Sequence, residues 1–377
     1  MNTCSKLLSV AFIAMTYIAC GAGDGGTEDD GGDTEGPWYF AYVSNNGSAS
    51  ISAYSIDATT GALTEIARSP YDTGQYSRCV AAHPSGKFIY AVNQGARNVS
   101  AFMASAGSGA LMKIAGSPFA VGSNPHSIAV EPNGAFAYVT NSGDSSVSVF
   151  AIDPSNGALT EIAGSPFSAR GGIPSFIAID PTGKFAYIGN VGTSDVSAYT
   201  ISLTTGALEE IAGSPFASGA APLCVAVDPL GKFLYTVNNN SDNISVFTIN
   251  ATTGALTESV TSPFPTATFS SPVAMAIHPT ASFAYVTNYV GNVAAYAIDA
   301  ATGALTEIDG SPFNAKVATT AVAIDPTGKF IYVTNQYTNN ISAYSINTAT
   351  GVLTEISGSP FGAGSYPFSI VTVEIKQ

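Results

Sequence analysis

His126, in Asn124-Pro125-His126-Ser127, and Arg78 are the side chains here whose types suit chemistry at a reacting centre, and they stand 48 residues apart. A neutral imidazole can take a proton from water, and a guanidinium can hold negative charge developing on an oxygen. Such groups are scarce. The chain has three histidines and 12 lysines and arginines against 26 aspartates and glutamates, a net charge of −14 in 377 residues. The plainer readings are ordinary hydrogen bonding for His126 and an ion pair for Arg78. Choosing between these readings requires the elements that carry the two side chains.

Those elements repeat. Phe136-Ala137-Tyr138-Val139-Thr140-Asn141 has counterparts centred on Tyr42, Tyr90, Tyr187, Tyr235, Tyr285 and Tyr332, and the successive spacings are 48, 48, 49, 48, 50 and 47 residues. A period of that length, made of β-formers and turn residues, predicts an all-β seven-bladed β-propeller of four-stranded blades. Each repeat reads as a short apolar inner strand (Ser127 to Val130), a tight turn, the Tyr-Val-Thr-Asn strand, an alternating third strand (Ser146 to Ile152) and an outer strand (Ala158 to Ile162). The turn is clearest in Asp180-Pro181-Thr182-Gly183-Lys184, which combines a turn-opening Asp, a Pro of preset φ and a Gly able to take φ > 0. His83 and His278 stand where other repeats have that Asp or Glu, so they are turn residues. The Asn closing each Tyr-Val-Thr-Asn strand is expected to cap the following turn through its own backbone. Ser-Pro-Phe or Ser-Pro-Tyr follows each outer strand; the proline should end ladder pairing and the ring should pack between blades.

The termini complete one another. Trp38-Tyr39-Phe40-Ala41-Tyr42 begins directly on a Tyr strand, and Ser369 to Ile375 matches the inner strands and then stops. A C-terminal strand therefore completes the first blade and closes the ring. Aligning the repeats puts Phe368, Arg78, His126, Ser175, Leu223, Val273 and Thr320 at the entry to successive inner strands, around one mouth of the central channel. Arg78 and His126 come from neighbouring blades. The other five form the surface on which a ligand would rest.

Upstream, Lys6 and the apolar run Leu7 to Ile18 have the layout of a signal peptide over residues 1–19. Ile18-Ala19-Cys20-Gly21 resembles the lipobox of bacterial lipoproteins, in which the cysteine is acylated and becomes the mature N-terminus. Residues 20–36 are then the lipidated Cys20 and a flexible Gly-rich linker with six carboxylates, and residues 37–377 are the propeller. The expected location is outside the cytoplasm, on an outer membrane or the cell surface, held by the lipid anchor. The acidic run has no calcium-loop spacing, and Asn238 to Asn243 reads as a solvated loop, so no metal is expected. No glycine-rich turn opens a helix, which removes the phosphate-cradling motif, and no cofactor is called for. The absence of a basic stripe excludes nucleic acid. Cys79 and Cys224 occupy the same position three blades apart, too distant to bridge, and read as small core residues.

The Tyr-Val-Thr-Asn strands, Asp-Pro-x-Gly-Lys-Phe turns and Gly-Ala-Leu-Thr-Glu-Ile strands resemble the YVTN-repeat and lactonase-type seven-bladed propellers, over about residues 38 to 377. That family includes propeller-type 6-phosphogluconolactonases. The resemblance implies a His and Arg residues around the channel opening, matched here by His126 and Arg78. It further implies lactone hydrolysis with His126 as base and Arg78 as stabiliser of the oxyanion. Leu223, Val273 and Phe368 stand where such enzymes carry more charge. For that reason a surface-tethered scaffold binding a protein or small molecule is the first expectation, and a lactone hydrolase the alternative.

Overall fold

The computed structural model describes residues 37–267 and 270–376. The expected signal peptide, the expected lipidation site Cys20 and the whole of the expected linker lie outside these residues. In the third repeat the inner strand Pro125–Val130 pairs with Phe136–Asn141, that strand with Ser146–Ile152, and the last with Leu159–Glu161, all antiparallel. The same order holds in all seven sheets. Every residue of Phe136–Asn141 is buried, because blades cover both of its faces, whereas the outer strand buries Leu159 and exposes Thr160 and Glu161. The core is correspondingly divided into seven clusters, each shared by two adjoining blades; one joins Phe88 and Tyr90 to Val139 and Phe150.

The Ser-Pro-Phe segment departs from expectation. A three-residue outer strand covers only Phe150–Ile152 of the third strand, and Phe167–Ser168 returns to pair with Val147 and Ser146. The gap between the two is filled by the motif serine, since Ser165 Oγ accepts the Val149 N–H at 3.0 Å. The equivalent bond recurs in the other six blades at 2.9–3.1 Å. The proline therefore interrupts the ladder for one step, and the serine satisfies the N–H that the interruption would orphan. The aromatic ring is partly buried against the interblade cluster, as at Phe119 and Phe167.

Two motifs that look independent in sequence are joined in space. Tyr42, Tyr90, Tyr138, Tyr187, Tyr235 and Tyr285 each donate the hydroxyl hydrogen bond to the carbonyl of the glycine opening the next blade's outer strand, at 2.9–3.1 Å. Tyr332 closes the circle on Gly61 at 2.8 Å. Burial pushes all seven hydroxyls well above the ordinary value of 10, so each is a neutral O–H donor. The glycine is required twice over: Gly157 has φ +74°, and a Cβ there would lie 2.5 Å from the Phe88 ring of the preceding blade. Tyr332→Phe should lower stability by about 1–2 kcal/mol, the cost of leaving the buried Gly61 carbonyl unsatisfied. An unchanged denaturant midpoint would show that this closing hydrogen bond contributes nothing to stability.

The motif asparagines correct a second expectation. They do not cap turns through their own backbone; at 0–2% exposure they are sealed inside the blade. Asn141 Nδ2 donates to Ser146 Oγ at 3.1 Å and Ser148 Oγ at 2.9 Å on the third strand, and Asn335 does the same to Asn340 Oδ1 and Ser342 Oγ. A buried amide must find fixed partners, and the third strand supplies them. His83 and His278 are turn residues as expected. Each accepts a backbone N–H at Nδ1, from Ser85 and Thr280, and its Nε2 meets the next blade's turn carbonyl, Gly134 at 3.1 Å and Gly328 at 2.9 Å. Closure follows the expected scheme: Trp38–Asn45 pairs with Pro367–Ile375, from Trp38 opposite Ile375 to Asn45 opposite Pro367.

Candidate functional site

Every inner strand carries a β-bulge at the same place. Ser77 faces Asn93 and Cys79 faces Val92, so Arg78 has no cross-strand partner; Pro125 faces Asn141 and Ser127 faces Thr140, so His126 has none either. Phe368, Leu223, Val273 and Thr320 are the bulged residues of their strands, and Ser175 and Phe176 share the bulge of the fourth blade. A bulge turns its extra side chain out of the pleat, which is how Arg78, His126 and Phe368 come together from three successive blades. The residue two before each bulge is left-handed, with φ of 47–62° at Tyr76, Asn124, Ile173, Ala221, Ser271, Ala318 and Tyr366. Its carbonyl accepts the N–H of the residue after the motif Asn, for example Gln94 to Tyr76 at 2.9 Å and Gln336 to Ala318 at 2.8 Å. This backbone bond joins the bulge segment to the residue after the asparagine in every blade.

Three of the bulged side chains meet. Arg78 Nη2 lies 2.8 Å from His126 Nε2, and the guanidinium carbon lies 4.5 Å from the centroid of the Phe368 ring. Guanidinium only donates, so Nε2 accepts and the imidazole proton sits on Nδ1. His126 is buried, its ring 5.5 Å from that of Phe176 in an edge contact. Burial first, then the adjacent Arg78 charge, holds His126 well below its ordinary 6.5, so it is neutral at physiological pH. Burial lowers Arg78 to about 10, which still leaves a cation. Arg78 Nε and His126 Nδ1 are buried N–H groups without a hydrogen-bond partner among the described residues. In this arrangement the lone pair that could take a proton from water is occupied by Arg78.

Phe368 also lines a cavity of about 420 Å³, with Leu223, Val273 and Phe368 as apolar walls and Asn239, Ser271, Tyr289, Thr320 and Gln336 as polar ones; Arg78 and His126 are not among its lining residues. None of these eight residues is charged. Ser175 does not take part: its Oγ is turned to the carbonyls of Gly189 and Pro222, at 2.9 and 2.8 Å. Thr320 lines the cavity while tying the Pro367 carbonyl at 3.2 Å. Tyr289 and Gln336 are not singled out from sequence, and Asn239 is read there only as part of a solvated loop, whereas Asn238 is buried and Asn239 lines the cavity. The signal was available, because the position after the motif Asn changes type in nearly every repeat (Asn46, Gln94, Ser142, Val191, Asn239, Tyr289, Gln336) while the motif before it stays constant. Cys79 and Cys224 are buried free thiols; burial raises both, Cys224 to about 11, which removes nucleophilic character. Among the described residues no cluster of His, Cys, Asp and Glu could hold a metal ion.

Fold and site together define a seven-bladed propeller that carries a half-buried Arg–His couple beside an uncharged cavity. The chain belongs to the lactonase family of seven-bladed β-propellers, whose profile matches residues 37–124, 113–270 and 263–365. No curated protein matches it in sequence. Among solved structures it is similar to a protein described as a candidate 6-phosphogluconolactonase from Bacteroides fragilis, with 21% identity, a TM-score of 0.78 and coverage of 91% of this chain and 100% of that one. It is also similar to the periplasmic gluconolactonase PpgL of Pseudomonas aeruginosa, with 18% identity, a TM-score of 0.77 and coverage of 90% and 100%. A third, from Bacteroides uniformis and also described as a candidate 6-phosphogluconolactonase, has 17% identity, a TM-score of 0.78 and coverage of 89% and 99%. At these identities the likeness concerns the fold.

Proposed function

We propose that the channel mouth hydrolyses an uncharged lactone. Water adds to the lactone carbonyl carbon, the ring C–O bond breaks, the ring oxygen takes a proton, and a hydroxy-carboxylate and one proton are released. Arg78 holds the negative charge on the carbonyl oxygen and His126 fixes its guanidinium. The observation that carries this reading is the Arg78 cation hydrogen-bonded to a neutral imidazole and stacked on Phe368, itself a wall of the cavity. Electrophilic activation at a water-poor site is worth more than the same charge in bulk water. Family membership supports the reaction class. The uncharged walls favour an unphosphorylated ring, and the leader, read as a lipoprotein signal, would keep the protein away from the phosphorylated lactone of cytoplasmic metabolism. The relative from P. aeruginosa, named as a periplasmic gluconolactonase, is consistent with that placement.

The test is proton release from phosphorylated and unphosphorylated aldonolactones by the full-length protein. Turnover confined to unphosphorylated rings is expected, and hydrolysis of every lactone at the buffer rate would overturn the reading. A second reading, a tethered propeller that binds its ligand without opening it, is favoured by the occupied His126 lone pair. It predicts saturable lactone binding with no proton release. The membrane tether is tested separately: Cys20→Ser should move the protein from the membrane fraction to the soluble one, and unchanged partitioning would exclude lipidation at that residue.

A further inference from the structure

From the cavity the rim continues outward as a row of tyrosines. Tyr289, a cavity wall, meets Tyr337 edge-to-face with ring centroids 6.1 Å apart, and Tyr337 meets Tyr366 in the same way at 6.1 Å. The Tyr289 hydroxyl lies 2.9 Å from that of Tyr337 and 3.3 Å from Gln336 Oε1. The Tyr366 N–H is held by Asn339 Oδ1 at 2.8 Å, in a left-handed conformation, φ 53°, that a bulky residue seldom adopts. The three rings are thus braced by one another and by the backbone, yet they remain 37%, 57% and 46% exposed. A rigid series of open aromatic rings leading into a cavity is a binding surface in search of a ligand with apolar faces and polar edges.

A sugar ring has that form. Its axial C–H groups make an apolar face that stacks on an aromatic ring, and its hydroxyls project at the edge toward amides and hydroxyls. Here Tyr289, Tyr337 and Tyr366 offer the aromatic surface, each ring turned 77–85° from the next, and Asn239, Gln336 and Ser271 supply edge partners. Charge selects among sugars. Neither the cavity walls nor the tyrosine row contains a charged residue, and a chain of net charge −14 disfavours acidic polymers.

We propose that the cavity and the tyrosine row together bind an uncharged saccharide chain, with its terminal unit in the cavity and the following units on Tyr289, Tyr337 and Tyr366. This goes beyond the lactone reading and holds whether or not Arg78 opens a ring.

The experiment is calorimetric titration of the full-length protein with uncharged gluco-, xylo- and chito-oligosaccharides of increasing length. At least one series should bind, with affinity rising for each added unit until the row is covered. Tyr337→Ala and Tyr366→Ala, both at exposed rings and so expected to lower the melting temperature only slightly, should each weaken binding about tenfold, as expected for an aromatic anchor. Tyr337→Phe, which keeps the ring, should retain most of the affinity. The proposal is overturned if no series binds, if affinity does not change with length, if Tyr337→Ala binds like the parent, or if only sulfated or carboxylated saccharides bind. It is equally overturned if the row proves to be covered by a second copy, seen as self-association that Tyr337→Ala abolishes. A protein that binds saccharides but opens no lactone fails only the earlier reading, and one that opens lactones but binds no saccharide fails only this one.

Discussion

Deletion of residues 369–377 should abolish cooperative folding. The strand they form lies innermost in the first blade, and Ile370, Val373 and Ile375 are buried in it at 7%, 6% and 0% exposure. Burial of three such side chains contributes roughly 5–9 kcal/mol, against the roughly 5–15 kcal/mol by which a typical domain is stable. The loss is compounded by topology. Without this strand, Trp38–Asn45 becomes an open edge at the centre of the ring, where its N–H and C=O groups have no partner. Val373 and Ile375 also belong to the cluster shared with the second blade, and Ile370 to the one shared with the seventh, so two interblade contacts fail together. The measurement is a thermal or urea melt of the truncated chain. A transition within a few degrees of the full-length protein would refute the closure argument.

Arg78→Met separates catalysis from stability. If Arg78 carries the oxyanion, lactone turnover should fall by about 10²–10³-fold, the usual effect of removing one such donor. Stability should change little, because the loss of a partly desolvated cation, already lowered to about 10 by burial, is set against a buried His126 Nε2 left without its donor, while the side-chain length against Phe368 is kept. The role of His126 is read in the same assay. As the residue that positions Arg78 it need only offer an acceptor, so His126→Gln should keep most of the activity and His126→Ala should lose it. The pH profile should be flat between about pH 6 and 8, since His126 titrates well below 6.5. In acid its protonation would set a second cation against Arg78 and break their bond. The stability consequence has the same sign: as pH falls below 6.5 the unfolded chain takes up a proton that folded His126 refuses, so stability declines through its folded value. An activity limb near neutrality together with an inactive His126→Gln would make His126 the base instead.

The blades, their number and the way the ring closes were legible in the sequence because each is a local pattern repeated seven times. Strand alternation, turn residues and a constant period need no knowledge of what lies across the molecule. The same reasoning placed Arg78 and His126 at equivalent positions of adjoining repeats, since equal register in a ring means equal height along the channel. What it left open was everything decided between blades. The motif tyrosine and the outer-strand glycine look like separate strand and turn signals, and only the packed ring shows that each hydroxyl is spent on the next blade's carbonyl. The motif asparagines look like turn residues until burial denies them water and commits them to the third strand. The mouth itself is the clearest case. Seven residues at one sequence position became an Arg–His pair stacked on Phe368, a turned-away Ser175 and an uncharged cavity. A bulge sets only where a side chain leaves its strand; what it meets depends on the neighbours it finds there, and only the closed ring supplies them.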